Sequence, residues 1–361
     1  MCIRDRNPET RGAGGECVMV TGAGGSVGSE LVRQLAGQRP AQLVLVDHSE
    51  YALFRIEQEM REACPEMSLR PVLADVTRPR QMRDLFNRRR PTAVFHAAAY
   101  KHVAMMERDV LSAVRANVFG SLVVARLAAE HRARFLLISS DKAANPRSVM
   151  GASKRLAELA VLADSGTSDR AVIVRFGNVL ASSGSVVEIM LERIRRGQTV
   201  QVTDPLATRY FMTAGEAVAL VLEANRLGST GQVFWLDMGE PIRILDLANR
   251  LRALAAEAGL PSVGVDFIGL RQGEKQREEL TVQGLELLRT SHPAICVARQ
   301  APFDAAAIRR SVSRLRTCVR RQDAAGALAE LCAAVPEYVA SAGAMEAAEP
   351  SYLARASVTT S

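Results

Sequence analysis

The apolar run Cys17–Thr21 breaks directly into Gly22-Ala23-Gly24-Gly25-Ser26-Val27-Gly28, and a helix-patterned segment, Ser29–Gly37, follows at once. Glycines 22, 25 and 28 stand three apart. So tight a turn between strand and helix needs residues without a Cβ. It also opens the free N–H groups of a helix N-terminus to close approach by an anion. Asp47 closes the next apolar run, nineteen residues after Gly28. Pyrophosphate on the glycine turn and ribose at the carboxylate is the arrangement this spacing suits, so Gly22, Gly25, Ser26, Val27, Gly28 and Asp47 are assigned to a dinucleotide. A carboxylate accepts from both ribose hydroxyls and repels a 2′-phosphate, which favours NAD over NADP. The competing explanation is a plain glycine turn with a capping aspartate.

Further runs rich in Val, Leu and Ile follow at Leu43–Asp47, Ser68–Ala74, Ala93–His96, Phe135–Ser139 and Ala171–Phe176, with helical patterns between them. Nearly continuous apolar strands suit a sheet covered on both faces. Strand–helix alternation then predicts an α/β fold with a doubly wound parallel sheet of the Rossmann type. Asp75 and Val76 end the third run, and Ala97 and Ala98 follow the fourth. Small residues at strand ends let a flat cofactor lie against the backbone, so these four join the cofactor set, although each alone suits packing equally well. The expected organisation is an unstructured start over 1–16, a nucleotide-binding domain over 17–178 and a smaller lobe over 179–300, some of whose segments return to the sheet. A helical extension with a loose tail from about 335 follows over 301–361.

Composition narrows the partners. Forty-six basic against 39 acidic residues give a net charge of +7, which suits an anionic substrate. Aromatic residues make up only 4% and do not alternate with basic ones, so nucleic acid is not expected. The six cysteines form no C-x-x-C pair and the five histidines no H-E-x-x-H, so neither a disulfide framework nor a metal site is expected, and the usage fits a cytoplasmic location. No run of eighteen or more apolar residues occurs, so no membrane span is expected. The segment 307–322 carries six arginines and no acid, with Ile308, Val312, Leu315 and Val319 at helical spacing. It reads either as a helix making peripheral contact with an anionic membrane or as a docked helix with a solvated basic face.

Longer motifs point to a family. TGAGGSVGSE, LVLVDHSEYALFRIEQE, FHAAAYKHV, NVFGS, SSDKAANPRSVMGASKR, VRFGNVLASSGSV, TRYFMT and GLRQGEK resemble bacterial polysaccharide-biosynthesis dehydratases acting on UDP-N-acetylglucosamine. These are extended short-chain dehydrogenases, and the likeness runs from about residue 17 to 282. It implies a redox-neutral 4,6-dehydration with bound NAD and a UDP-sugar substrate, in a homo-oligomer. The matching members also imply a longer native protein, anchored by preceding membrane helices and facing the cytoplasm.

The resemblance also implies site residues. The general Tyr-x-x-x-Lys pair appears as Met150 and Lys154, one helical turn apart on one face. Lys154 would hold the nicotinamide ribose. Met150 has no proton to give or take; it marks either the Met-bearing, C5-retaining branch or a lost active site. In Ser139-Ser140-Asp141-Lys142, Asp141 would protonate the departing C6 hydroxyl and Lys142 would remove the C5 proton, with Ser140 in the same catalytic set. A surface ion pair is the plain alternative. As a base Lys142 must be neutral, so its pKa is expected to fall through desolvation and neighbouring positive charge, with Asp141 opposing. Lys101, Asn178, Arg209 and Arg271 are assigned to the nucleotide sugar, the two arginines to its diphosphate. His102 and Asn117 read as structural. A nucleotide-sugar 4-epimerase or reductase, or a non-catalytic NAD-binding protein, are the competing functions.

Overall fold

The computed structural model describes residues 15–164, 171–180, 182–228, 231–279, 286–299 and 302–349. Six strands alternate with helices: β1 (Cys17–Thr21), β2 (Gln42–Asp47), β3 (Leu69–Leu73), β4 (Ala93–His96), β5 (Arg134–Ile138) and β6 (Ala171–Arg175). They lie in the order β3-β2-β1-β4-β5-β6, every neighbouring pair parallel. The sheet continues with Gln232–Leu236, parallel to β6, then with the antiparallel strands Ile295–Ala298 and Leu287–Arg289, to nine in all. This is the doubly wound Rossmann arrangement. The strand order reverses between β1 and β4, and ligands of such sheets bind beyond the carboxyl ends of the strands at that point.

Alternate residues of each strand feed two separate cores. Met19, Val44, Val94, Leu137 and Ile173 face one side. Val18, Leu43, Phe95, Leu136 and Val174 face the other. Both faces are covered, which is why the runs are continuously apolar. Between Asn178 and Phe267 the chain builds a lobe with a small core of its own, including Met190, Ile194, Val200, Ile244 and Ala248. Short ladders order this lobe, Val200–Val202 with Val265–Phe267 and Thr208–Arg209 with Ile242–Arg243.

The C-terminal part decides between the two readings of the arginine-rich segment and departs from expectation beyond 335. The arginine-rich segment is a helix, Ala305–Arg321, whose stripe of Ile308, Val312, Leu315 and Val319 is buried in the core shared with the helices Val149–Ala163 and Ala324–Ala334. Arg309 donates to the Ala163 carbonyl, Arg314 pairs with Glu330 at 2.6 Å, and Arg316 lies over the Phe119 ring. The apolar stripe is consumed inside the protein, so this helix does not offer it to a membrane. Residues 335–349 are ordered rather than loose. Val335 and Tyr338 are buried, and a helix at Ala342–Ala348 packs on the same core. Alanine-rich composition was compatible with disorder, but alanine is also the strongest helix former. Residues 350–361 and 1–14 lie outside the described residues. The continuous helix Val110–Glu130 is long and apolar enough by length and composition to cross a membrane, but most of it is buried inside the domain.

Candidate active site

At the end of β1 the chain turns at Gly22 with φ +70°, and the Gly25 N–H donates to the Gly22 carbonyl at 3.0 Å. A Cβ on Gly28 would sit 1.8 Å from that carbonyl oxygen, and one on Gly22 2.7 Å from the Ala98 nitrogen. The helix beginning at Ser26 has Gly25 as N-cap and no side-chain cap, so its first-turn N–H groups stay available. Only glycine permits this close backbone approach, and the free donors of the helix N-terminus beside it fit a pyrophosphate. Asp47 is buried, with Oδ2 accepting from the Gly24 N–H and Oδ1 from the Ser49 N–H, both at 2.9 Å. Its carboxylate is thereby held in place at the rim of the glycine turn.

A cavity of about 890 Å³ runs over the switch point. Gly22, Gly25, Ser26, Asp47, Asp75, Val76, Ala97 and Ala98 all line it. Val27 and Gly28 do not, because they form the first helical turn behind the cradle. Arg33, His48, Tyr51 and Arg55 also line it; no motif or spacing singles them out. Arg33 is engaged by Glu30 and Glu59, whereas Arg55 leans toward the Tyr51 ring at 6.0 Å.

The acid–base candidates stand at the carboxyl end of β5. The Ser140 hydroxyl donates to Asp141 Oδ1 at 2.9 Å and accepts from the Lys142 N–H at 3.2 Å, fixing a single 3₁₀ turn, Asp141–Ala143. Asp141 is 1% exposed; its Oδ1 also receives Lys142 Nζ at 3.1 Å, and its buried Oδ2 has no protein partner. Lys142 Nζ further donates to Asn178 Oδ1 at 3.2 Å and pairs with Glu278 at 3.3 Å. A Cβ on Gly151 would lie 2.3 Å from the Lys142 carbonyl, so only glycine next to Met150 lets this turn pack on the helix Val149–Ala163.

Met150 and Lys154 lie on that helix. Met150 is buried in the apolar core. Lys154 is 5% exposed, and its Nζ donates to the Ile138 carbonyl at 2.6 Å. Burial lowers its pKa to about 8, partly opposed by Glu158. For Lys142 the expected direction is reversed. Burial pushes it down, but Asp141 and Glu278 together raise it above the ordinary lysine range, with Arg209 opposing them. The sequence reading lacked Glu278, a buried carboxylate from the far lobe.

The predicted sugar-binding residues divide. Asn178 touches Lys142. Arg209 donates to the Thr208 carbonyl at 2.8 Å, lies 3.6 Å from Glu278, and shares with Lys142 a small cavity of about 80 Å³ that Arg147 and Lys275 also line. Arg271 is exposed and lines neither cavity, whereas Arg147 and Lys275 are further cations on the small one. Lys101 is exposed, and burial of part of its stem lowers its pKa against Glu188. Asn117 is structural: it accepts from the Tyr100 N–H at 2.8 Å and donates to Ser153 Oγ at 2.9 Å. His96 is another internal strap, between Thr21 at 2.7 Å and Ser121 at 3.1 Å, and burial together with Lys154 lowers its pKa to about 3. Among the described residues no group of three or more His, Cys, Asp or Glu could hold a metal ion.

Fold and cradle together define a Rossmann-fold protein of the extended short-chain dehydrogenase class. A family model described as "Polysaccharide biosynthesis protein" matches residues 18–300, and the chain belongs to that family. It is 44% identical to the capsular polysaccharide biosynthesis protein CapD of Staphylococcus aureus, over 73% of this chain and 44% of CapD. It is also 44% identical to the probable polysaccharide biosynthesis protein EpsC of Bacillus subtilis, over 74% of this chain and 45% of EpsC. The chain thus spans less than half the length of either. A UDP-glucose 4-epimerase of Rickettsia canadensis is 30% identical over 73% of this chain and 76% of the epimerase. Among solved structures, Pen from Bacillus thuringiensis superposes with a TM-score of 0.71 at 25% identity, covering 82% of this chain and 97% of Pen.

Proposed function

We propose that this chain catalyses NAD-dependent 4,6-dehydration of UDP-N-acetylglucosamine to the 4-keto-6-deoxy sugar, with C5 configuration retained, for surface polysaccharide synthesis. The carrying observation is the Asp141–Lys142 pair. It is an acid and a base hydrogen-bonded at 3.1 Å, at the carboxyl edge of the sheet, with one lone-pair oxygen of Asp141 unpartnered. Elimination of water across C5–C6 needs an acceptor for the C5 proton and a donor for the C6 oxygen, whereas epimerisation moves a proton only at the C4 hydroxyl and needs no such second pair. The cradle residues fit NAD, which when bound would supply the hydride acceptor and donor. On this reading Asp47 meets the adenosine ribose and Lys154 the nicotinamide ribose. Transfer of one proton from Lys142 Nζ to Asp141 Oδ1 turns the ion pair into a neutral base and a neutral acid. Removing water from the site favours that transfer, because a buried ion pair loses more solvation than a neutral pair. The O4 proton passes to water; Lys142 takes the C5 proton and later returns it to C5, while Asp141 protonates the leaving C6 oxygen and regains its proton from solvent. Met150 only packs. Arg209, Arg147 and Lys275 are the cations for the diphosphate.

A nucleotide-sugar 4-epimerase is the second reading, favoured by the likeness to proteins named UDP-glucose 4-epimerase. Incubation with UDP-N-acetylglucosamine and NAD, followed by proton NMR of the sugar, separates the two. A new C6 methyl doublet is the expected result. A C4 epimer instead selects the second reading, and NAD binding without turnover rejects both.

A further inference from the structure

Glu278 lies on the segment 271–279, which leaves the lobe after Val265–Phe267 and reaches the β5 turn from outside the sheet. It is 8% exposed, and its Oε1 stands 3.3 Å from Lys142 Nζ and 3.6 Å from Arg209 Nε. We propose that Glu278 is a positioning residue for Lys142: a carboxylate delivered by the lobe that keeps the Lys142 ammonium charged and fixed in the ligand-free protein, and whose transfer to Arg209 frees the amine. The role assigned to the released amine rests on the reading of Lys142 as the C5 base.

Three acceptors surround Lys142 Nζ: Asp141 Oδ1 at 3.1 Å, Asn178 Oδ1 at 3.2 Å and Glu278 Oε1 at 3.3 Å. Asp141 and Asn178 accept hydrogen bonds from the ammonium, and Glu278 pairs with its charge. An ammonium has a third N–H to turn toward Glu278, whereas a neutral amine has only two and would face that carboxylate with its lone pair. The geometry therefore fits the cation and opposes the base. The charges around the group are Asp141 on its own turn, Glu278 and Arg209 from the lobe, and Arg147, Glu274 and Lys275 along the small cavity. The raised proton affinity of Lys142 agrees with this geometry.

Residue usage adds an independent argument. The chain has forty-two arginines and only four lysines, at positions 101, 142, 154 and 275. A cation clamped between two carboxylates suits the forked guanidinium better than an ammonium. A chain that uses arginine almost everywhere nevertheless keeps lysine here. Lysine can lose its proton in a protein and arginine cannot. The site thus combines a removable proton with a carboxylate that delays its removal, and Glu278 has a second cation within reach to accept it.

Four lysines make a direct test practical. Protein labelled at the lysine Cε carbon gives four NMR signals, and Lys142→Arg assigns the relevant one. In wild type the Lys142 signal should hold its charged shift beyond the ordinary lysine midpoint. Glu278→Gln should lower its proton affinity by about tenfold or more, and Glu278→Asp should fall between. Glu278→Asp carries the test if Glu278→Gln does not fold. A Lys142 signal titrating as in wild type in the folded variants overturns the proposal. In the product assay, the acid limb of the rate profile should move to lower pH in Glu278→Gln. A uniform loss with no movement of that limb also overturns it. Turnover retained in Lys142→Arg would instead reject the base assignment, and the NMR result would still decide whether Glu278 holds the proton.

Discussion

At the scale of single residues, the turn after β5 carries the sharpest expectations. Lys142→Ala should remove the C5 base and lower product formation by on the order of 10²–10⁴, with NAD binding intact. Asp141→Asn should block water loss and let the reduced cofactor accumulate, visible by absorbance in a single turnover. Met150→Ala should cost far less, because Met150 is core packing. Near wild-type turnover in Lys142→Ala would overturn the assignment. Asp47 makes a second test. Its carboxylate faces the cavity that Arg55 also lines, so Asp47→Ala should raise the ratio of NADP to NAD affinity in a fluorescence titration. Both affinities should drop somewhat, because the Gly24 and Ser49 N–H groups lose their acceptor. Wild-type NADP binding as tight as NAD binding would remove Asp47 from the ribose. Lys154 ties charge to stability. Its pKa falls from 10.5 to about 8 on folding, so the folded chain releases this proton before the unfolded chain does. Below pH 8 both states hold it and the burial cost is complete, roughly 3 kcal/mol. That cost drains away as pH rises toward 10.5. Lys154→Met should therefore raise the ligand-free unfolding midpoint at pH 7, and the advantage should vanish in alkaline buffer. A lowered midpoint at pH 7 would show that the Ile138 hydrogen bond outweighs the burial.

At the scale of elements, the helix Ala305–Arg321 packs its apolar stripe against the helix that carries Met150 and Lys154. Leu315 is fully buried, and Leu315→Ala should destabilise the protein by about 2–5 kcal/mol in denaturant titration. Truncation of exposed Arg310 should change little. An equal cost for the two would mean the helix is not docked. The sequence made the six parallel strands legible because strands buried on both faces must be apolar at every position. It made the cradle legible because glycines and an aspartate at fixed spacing have few other uses. The lobe was less legible: two-residue strands such as Thr208–Arg209 owe their existence to distant partners rather than to their own pattern. For the same reason nothing local singled out Glu278, and Arg271 was assigned on its motif although it lines neither cavity. In an arginine-rich chain, nothing local separates the guanidinium that faces a site from one that faces water. Asp141 and Lys142 could be singled out as candidates because they are adjacent in sequence and follow β5 at the carboxyl edge of the sheet.

At the scale of the whole molecule, the surface left by the docked helix is basic but not apolar. Any association with anionic vesicles should therefore be electrostatic and vanish at high salt in a flotation assay; salt-resistant flotation would require an insertion surface elsewhere. Inside, one charge network joins the parts. Glu158, on the Met150 helix, accepts from Ser139 at the end of β5 and pairs with Arg175 on β6 and with Arg155, which reaches Glu337 in the C-terminal segment. Glu158 and Arg175 are both within 2% of complete burial. Loss of either alone strands a charge with no water to receive it, whereas replacing both with apolar residues of similar volume can be tolerated. The pair therefore shapes how the lineage can vary. Across diverged copies of this gene, positions 158 and 175 should be inherited as a unit, and a descendant that has exchanged one should have exchanged the other.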